Sequence, residues 1–256
     1  MTTASTFAIV PVKALADAKR RLAPALASSE RRRLVLTMLQ DVLALLAETP
    51  GIARVVVVTP DPEVAAAAIS RGAGVVSEAG PSDLNSAVRR GLACARNEGA
   101  GRALVIPADV PLATHAEVLS ILTSASAGPE PQAVLVPSED GDGTNAMLLA
   151  PPEAMRPEFG EDSFVRHVAQ AVALGLDFRV LRLPGLGADI DQPRDLARLA
   201  GAERYAFLNS APNTARSPGR SQRKPNPGCP PAHTCDTGTK NRTIEKVEPG
   251  PRRGKP

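Results

Sequence analysis

GRALVIPADVPL, residues 101–112, is the stretch on which the reading of the chain turns. Residues 103–106 are a continuous apolar run of strand length, and Pro107 has no backbone N–H to offer a further ladder bond. The strand therefore ends at Asp109, a carboxylate set between Pro107 and Pro111. In an open α/β sheet ligands gather beyond the carboxyl ends of the strands, so an acid held there suits a divalent cation over a phosphate. The same residues also suit a turn or an N-cap before a helix at 114–124.

Outward from this strand, the chain alternates strands and helices. Residues 7–12 (FAIVPV) read as a short apolar strand and 14–27 as a loop after it. Ser28 or Ser29 is expected to cap a helix whose Leu34, Val35, Met38, Leu39, Val42 and Leu46 share one face, and Pro50-Gly51 ends it. Residues 55–59 (VVVVT) are β-branched without alternation, as in a strand covered on both faces of a parallel sheet. A helix at 63–71, a strand at 74–77 and a helix at 84–96 follow. Beyond Asp109, strands at 133–137 and 146–150 flank an acidic, glycine-rich loop; a helix at 163–174, a strand at 178–183 and a last helix at 192–199 complete the series. Repeated βα units with short connections predict an α/β fold in a single domain with a predominantly parallel sheet.

The charge is unevenly placed. Residues 210–256 hold nine of the 25 prolines and ten Lys/Arg against three Asp/Glu, a net charge of +7. Residues 1–209 are therefore net −4, and the overall +3 describes the tail. A folded domain over 1–209 and a disordered basic tail over 210–256 are expected, and nucleic-acid binding is not inferred from the basic balance. Cys94, Cys229 and Cys235 suggest no disulfide framework, and Cys229, His233 and Cys235 match no standard zinc spacing. With no signal-like leader and no apolar run of about 18 residues, a cytoplasmic protein without membrane contact is expected.

Four segments can carry chemistry, each after an expected strand or at a helix start. Lys13, Lys19, Arg20 and Arg21 place four cations within residues 13–21 of a net-acidic domain, which suits a polyphosphate. Neither G-x-x-x-x-G-K-[ST] nor G-x-G-x-x-G occurs, so a nucleotide would be bound in another way. Asn85, in Ser82-Asp83-Leu84-Asn85-Ser86, could meet a base edge from a helix start, although Ser, Asp and Asn there are also ordinary caps. With five Phe, one Tyr and no Trp, an aromatic stack on a base is not expected. Gly143 and Thr144 follow an acidic turn, and Ser163 opens a helix whose N–H groups can hold an anion. DGDG lacks the closing acid of an EF-hand, where Ala150 would stand. His167, one turn into that helix, reads as a packing or hydrogen-bonded residue. Asp189-Ile190-Asp191 offers a second metal ligand, or an acidic helix start favoured by the dipole.

Taken in order, Pro11-Val12-Lys13 with Lys19 and Arg21, Leu84-Asn85, Pro107-Ala108-Asp109, Gly143-Thr144-Asn145, Phe159-Gly160 with Ser163 and His167, and Asp189-Ile190-Asp191 with Pro193 closely resemble the 2-phospho-L-lactate guanylyltransferase family. The resemblance covers roughly residues 7–200. It implies a glycosyltransferase-A-like, Rossmann-like nucleotidyltransferase fold and transfer of GMP from GTP to a three-carbon phospho-acid (2-phospho-L-lactate, phosphoenolpyruvate or 3-phosphoglycerate), releasing pyrophosphate, in coenzyme F-420 biosynthesis. It further implies that Lys13, Lys19 and Arg21 meet the triphosphate, Asp109 with Asp189 or Asp191 holds Mg2+, Thr144, Gly160 and Ser163 contact the phospho-acid, and Asn85 lies near the guanine. A downstream deazaflavin transferase and a second copy of the chain are the protein partners it suggests. Asp142 and Asp162 depart from the family, which commonly has a small or hydroxylic residue and a second glycine there, and this leaves the acceptor open. Two other readings stand beside it: a molybdopterin guanylyl- or cytidylyltransferase-like enzyme, and a non-catalytic nucleotide-binding module.

The tail generates a direct expectation. Truncation after Asn209 should leave the melting temperature and any guanylyltransferase activity nearly unchanged, since a disordered segment buries little surface. A fall of more than a few degrees in thermal melting would mean that the tail docks on the domain.

Overall fold

A computed structural model describes residues 5–77, 83–125 and 131–210. Ser82, Cys229, His233, Cys235 and all but the first residue of the expected tail lie outside the described residues. Seven strands form one sheet: β1 (Thr6–Pro11), β2 (Ile52–Thr59), β3 (Gly74–Ser77), β4 (Arg102–Val105), β5 (Gln132–Pro137), β6 (Thr144–Ala150) and β7 (Asp177–Val180). Helices α1 (Ser28–Glu48), α2 (Pro62–Ser70), α3 (Leu84–Asn97), α4 (His115–Ser124), α5 (Ser163–Ala173) and the single turn α6 (Pro184–Gly187) connect them. No described helix is long and apolar enough to cross a membrane.

The strand order is β3-β2-β1-β4-β6-β5-β7. Four of the pairings are parallel, and β6 runs antiparallel to both of its neighbours. That reversal positions the site. Because Ala103 pairs with Leu149 and Val105 with Met147, moving towards the end of β4 means moving towards the start of β6. Thr144 and Asn145 are thereby delivered to the sheet edge at which β4 runs out towards Asp109.

The sheet is covered on both faces, as the β-branched run in β2 predicts. Ala8 and Val10 of β1 and Val55 and Val57 of β2 pack with α1, α2 and α4. Phe7 and Ile9, with Val56 and Val58, pack with α3. Successive strand residues thus enter opposite cores, as the two-residue pleat requires.

Several local expectations are corrected. The segment 14–27 is not plain loop: it holds two 3-10 turns, Leu15–Asp17 and Arg20–Leu22. Neither Ser28 nor Ser29 caps α1; Ala27 takes that place and its N–H donates to Glu30 Oε2 at 2.7 Å. The expected helix at 192–199 is 3-10 (Pro193–Leu199), its start held by Asp195, which accepts from the N–H groups of Asp191 and Gln192 at 3.1 and 2.7 Å. The strand expected at 178–183 starts and stops earlier, pairing with β5 only from Gln132–Asp177 to Leu135–Val180. Thr144 begins β6, two residues before the expected start.

Gly91 shows how closely α3 lies on the sheet: a Cβ there would sit 2.2 Å from Ile9 Cγ2 and 3.1 Å from Val58 Cγ2. Alanine gains about 1 kcal/mol over glycine within a helix, but forcing a methyl into a packed β-branched neighbour costs about 1–3 kcal/mol. Since Ile9 cannot rotate its Cγ2 away without entering another filled space, overpacking wins. Gly91→Ala should lower Tm by roughly 2–6 °C in thermal unfolding. A variant as stable as wild type would show that α3 lifts from β1 at no cost.

Candidate active site

The residues between β1 and α1 form a folded loop rather than a free chain. Asp61 caps α2 by accepting from Glu63 and Val64 N–H through Oδ1, while its Oδ2 accepts from the Leu15 N–H at 2.9 Å. One carboxylate therefore fixes both the start of α2 and the turn that carries the cations. Lys19 adopts the left-handed conformation (φ 53°) between the two 3-10 turns. This conformation is uncommon for a residue with a Cβ, and it directs the Lys19 chain back to the sheet edge.

At that edge the Lys19 ammonium lies 2.6 Å from Asp109 Oδ2 and 3.4 Å from Asp191 Oδ1. Arg21 Nη1 contacts the other Asp191 oxygen at 2.7 Å. The two acids are joined through the backbone as well, since the buried Ile190 donates its N–H to the Asp109 carbonyl at 2.9 Å. Asp189 receives a hydrogen bond from Asn145 Nδ2 at 3.1 Å, and the same amide nitrogen donates to the carbonyls of Leu186 and Gly187. Burial alone disfavours a charged Lys19, but the attraction of Asp109, then of Asp191 and Asp189, outweighs it and holds the lysine above its usual pKa. Burial and then the negative charge of Asp109 push Asp189 upward, against the Asn145 hydrogen bond and Lys19.

Lys13, Lys19, Arg21, Asp109 and Asp191 line one cavity of about 420 Å³, with Pro11, Val12, Pro107, Ala108 and Leu84 among its walls. Among the described residues no three His, Cys, Asp or Glu side chains form a ready metal cluster. The donor set nonetheless fits a hard divalent cation: carboxylates of fixed position, one of them crowded by another's charge, with room for phosphate oxygens to complete the shell.

A second group lies at the start of β6. The Thr144 N–H donates to Ser163 Oγ at 3.0 Å, and Thr144 Oγ1 lies 2.9 Å from His167 Nδ1. All three side chains are buried. The other ring nitrogen, His167 Nε2, accepts from the Glu158 N–H at 2.9 Å. The following residue, Phe159, is gripped at both backbone groups by Asn85, whose Oδ1 accepts at 2.7 Å and whose Nδ2 donates at 3.1 Å. Gly160, at φ 124°, completes the turn in a conformation that only glycine adopts without strain.

Thr144, Gly160 and Ser163 are thus brought together, and Lys13, Lys19, Arg21, Asp109, Asp189 and Asp191 form the other half of the site. Asn85 differs from expectation. Both ends of its amide hold Phe159, so in this conformation it organises the Gly160 loop rather than presenting a free edge to a base. Asp142 and Asp162 are exposed; the Asp142 carbonyl accepts from the Phe164 N–H, and Asp162 takes φ 53°. Asn145 and Asp61 were not among the expected site residues. An Asn immediately after Thr144 on an apolar strand was the available signal for the first; Asp61 reads as a helix cap and nothing more.

A family model described as "Guanylyl transferase CofC like" matches residues 6–210. A phosphoenolpyruvate guanylyltransferase of Sphaerobacter thermophilus is 44% identical over 197 residues, 77% of this chain and 93% of that protein. A 2-phospho-L-lactate guanylyltransferase of Methanothermobacter thermautotrophicus is 35% identical over 194 residues, 76% and 83% of the two chains. Among solved structures, a nucleotidyl transferase from Methanothermobacter superposes with a TM-score of 0.58 at 18% identity, covering 80% of this chain and 99% of that one. At that identity the likeness shows the fold, which is of the nucleotidyltransferase type.

His167 yields a pH expectation that is independent of any ligand. Burial, with Arg166 adding to it, pushes its pKa from 6.5 down to about 4. The unfolded chain then binds the proton more readily than the folded one, so stability falls as pH drops below about 6.5 and the loss is complete below about 4. Denaturant unfolding at pH 7 and pH 4.5 should show His167→Gln losing less stability than wild type over this range, by about 2–3 kcal/mol. Equal losses in the two proteins would mean that the imidazole is not held neutral.

Proposed function

The chain belongs to the CofC-like guanylyl transferase family, and on that premise we propose that it transfers GMP from GTP to the phosphate of a three-carbon phospho-acid, releasing pyrophosphate, in the biosynthesis of coenzyme F-420. The observation that carries this reading is a cation-lined cavity that ends on Asp109 and Asp191, together with a buried hydroxyl pair, Thr144 and Ser163, of which Thr144 is next in sequence to the Asn145 that bonds Asp189. The first half suits a triphosphate and the second suits a small anion. Phosphoenolpyruvate is the acceptor class in the names of several relatives at 40–44% identity, and 2-phospho-L-lactate in that of another at 35%.

The reaction asks little covalent chemistry of the protein. An oxygen of the acceptor phosphate forms a bond to the α-phosphorus of GTP while the bond from that phosphorus to the bridging oxygen of the β-phosphate breaks. The attacking phosphate is already anionic and needs no general base. What remains is to align it in line with the leaving group and to neutralise the charge that gathers on pyrophosphate. Lys13 and Arg21 serve the leaving group, arginine as a planar fork and lysine as a point charge. Lys19 spans the carboxylates and the phosphates. Thr144, Gly160 and Ser163 hold the acceptor through hydroxyl and backbone N–H groups. Asp109, with Asp189 and Asp191, would hold Mg2+, which when bound supplies positive charge to the triphosphate oxygens. Cytoplasm is the compartment this reading implies, and a deazaflavin transferase is the partner that consumes the product.

Pyrophosphate release should be measured with GTP and, side by side, 2-phospho-L-lactate, phosphoenolpyruvate and 3-phosphoglycerate. At least one acceptor should support turnover, and Asp109→Ala should lose about a hundredfold or more in kcat while remaining folded by circular dichroism. No pyrophosphate with any of the three would leave a nucleotide-binding module as the reading; a folded Asp109→Ala variant of normal rate would remove Asp109 from the reaction.

A further inference from the structure

The hydrogen-bond pattern around His167 leaves little freedom in how its proton is placed. A backbone N–H can only donate, so Nε2, 2.9 Å from the Glu158 N–H, must be the unprotonated nitrogen. In the neutral ring the proton is then on Nδ1, which faces Thr144 Oγ1 at 2.9 Å. The Thr144 hydroxyl accepts that proton's hydrogen bond and keeps its own proton to donate. Among the hydrogen bonds of the described residues, it donates to none. Ser163 Oγ is in the same position, because it accepts from the Thr144 N–H.

Two buried hydroxyls thus each accept one hydrogen bond from the protein and keep their own proton to donate. His167 itself is fully buried, sits edge-on to the Phe159 ring with centroids 5.0 Å apart, and makes no contact that would let it reach a ligand directly. Its two nitrogens join two segments that come from different elements: the start of β6 through Thr144, and the 158–160 turn through Glu158. The turn is held by side chains of α3 and α5: Asn85 on Phe159 and Arg166 on the Glu158 carbonyl, alongside His167, with Gln170 holding Arg156 just before it.

We propose that His167 is a positioning residue for the phospho-acid: as the Nδ1-protonated tautomer it fixes the Thr144 hydroxyl as a donor aimed at the acceptor anion and fixes the Gly160 turn beside it. This inference rests on the guanylyl-transfer reading above. His167 takes no proton from the reaction. Its effect travels through Thr144, so it alters acceptor binding and leaves GTP binding alone.

Substitutions can separate the two nitrogens. Gln places an amide near Nε2 and can still accept from Glu158, but it has no donor for Thr144; Asn places one near Nδ1 and retains that donor. In steady-state pyrophosphate release, His167→Gln should raise the acceptor's KM roughly five- to twentyfold with GTP KM changed less than about twofold. His167→Asn should raise it less. Thr144→Val should raise it at least as much as His167→Gln, and the Thr144→Val/His167→Gln double variant should be no worse than Thr144→Val alone, because the histidine acts through a hydroxyl already removed. Ring-nitrogen NMR of the wild-type protein, with the signal assigned by its loss in a His167 variant, should show the Nδ1–H tautomer.

Additive effects in the double variant, parallel rises in both KM values, or an Nε2–H ring would overturn the proposal. If neither variant folds, the tautomer and the Thr144→Val split between the two KM values decide it. If wild-type protein releases no pyrophosphate with GTP and any of the three acceptors, the guanylyl-transfer reading fails and the acceptor role of His167 fails with it. Normal wild-type turnover with an unaffected acceptor KM in folded His167→Gln would sink the inference alone.

Discussion

Three carboxylates, Asp109, Asp189 and Asp191, are held at one edge of the sheet by backbone they cannot leave, and the Lys19 ammonium is what makes that arrangement tolerable. Asp109 is tied to Ile190 through its carbonyl, and Asp189 is tied to β6 through Asn145. Like charges fixed at short range repel unless a cation lies among them. Lys19 supplies one, reaching Asp109 and Asp191 across 90 and 172 residues of sequence. The elements behind it serve that reach: the left-handed turn at Lys19, the two 3-10 turns around it, and the Asp61 carboxylate that moors the loop to α2. Lys19 and Arg21 between them balance the charge that Asp109 and Asp191 bring to this edge.

The group around Thr144, Ser163 and His167 is built on a different principle. Here charge is avoided and hydrogen-bond direction is controlled. His167 is kept neutral by burial, Thr144 and Ser163 each accept one hydrogen bond from the protein, and Asn85 bonds both backbone groups of Phe159. Each of these groups is held in one orientation by its partners, which is the condition for a preorganised site. The reversal of β6 joins the two halves. Asn145 bonds to Asp189 among the carboxylates and Thr144 to Ser163 and His167, so adjacent residues on one strand belong to the two groups.

Much of this was legible in the sequence. The apolar run ending in Pro107-Ala108-Asp109, the β-branched strand at 55–58 and the helical spacing in α1 and α3 specify local structure because periodicity and proline chemistry act over a few residues. The two-faced burial follows from the same patterns. The order of motifs from Lys13 to Asp191 identified the family, since each motif is short and self-contained. The 3-10 turns at 15–22 and the 3-10 character of 193–199 were not legible, because there the side chains of distant residues, or capping bonds outside the helical pattern, outweigh local propensity.

What the sequence could not assign is which polar groups point at a ligand and which are consumed by one another. Asn85 reads as a base-contacting amide or a cap, and its two bonds to Phe159 arise from a contact 74 residues away. His167 reads as a packing or hydrogen-bonded residue; its tautomer is decided by a Glu158 N–H on one side and a Thr144 hydroxyl on the other. Residue types, spacing and alternation determined the strands, helices and chemistry available to this protein. The tertiary structure alone decided how that chemistry is directed, because hydrogen bonds and charges act over a few ångströms and only folding sets which groups come that close.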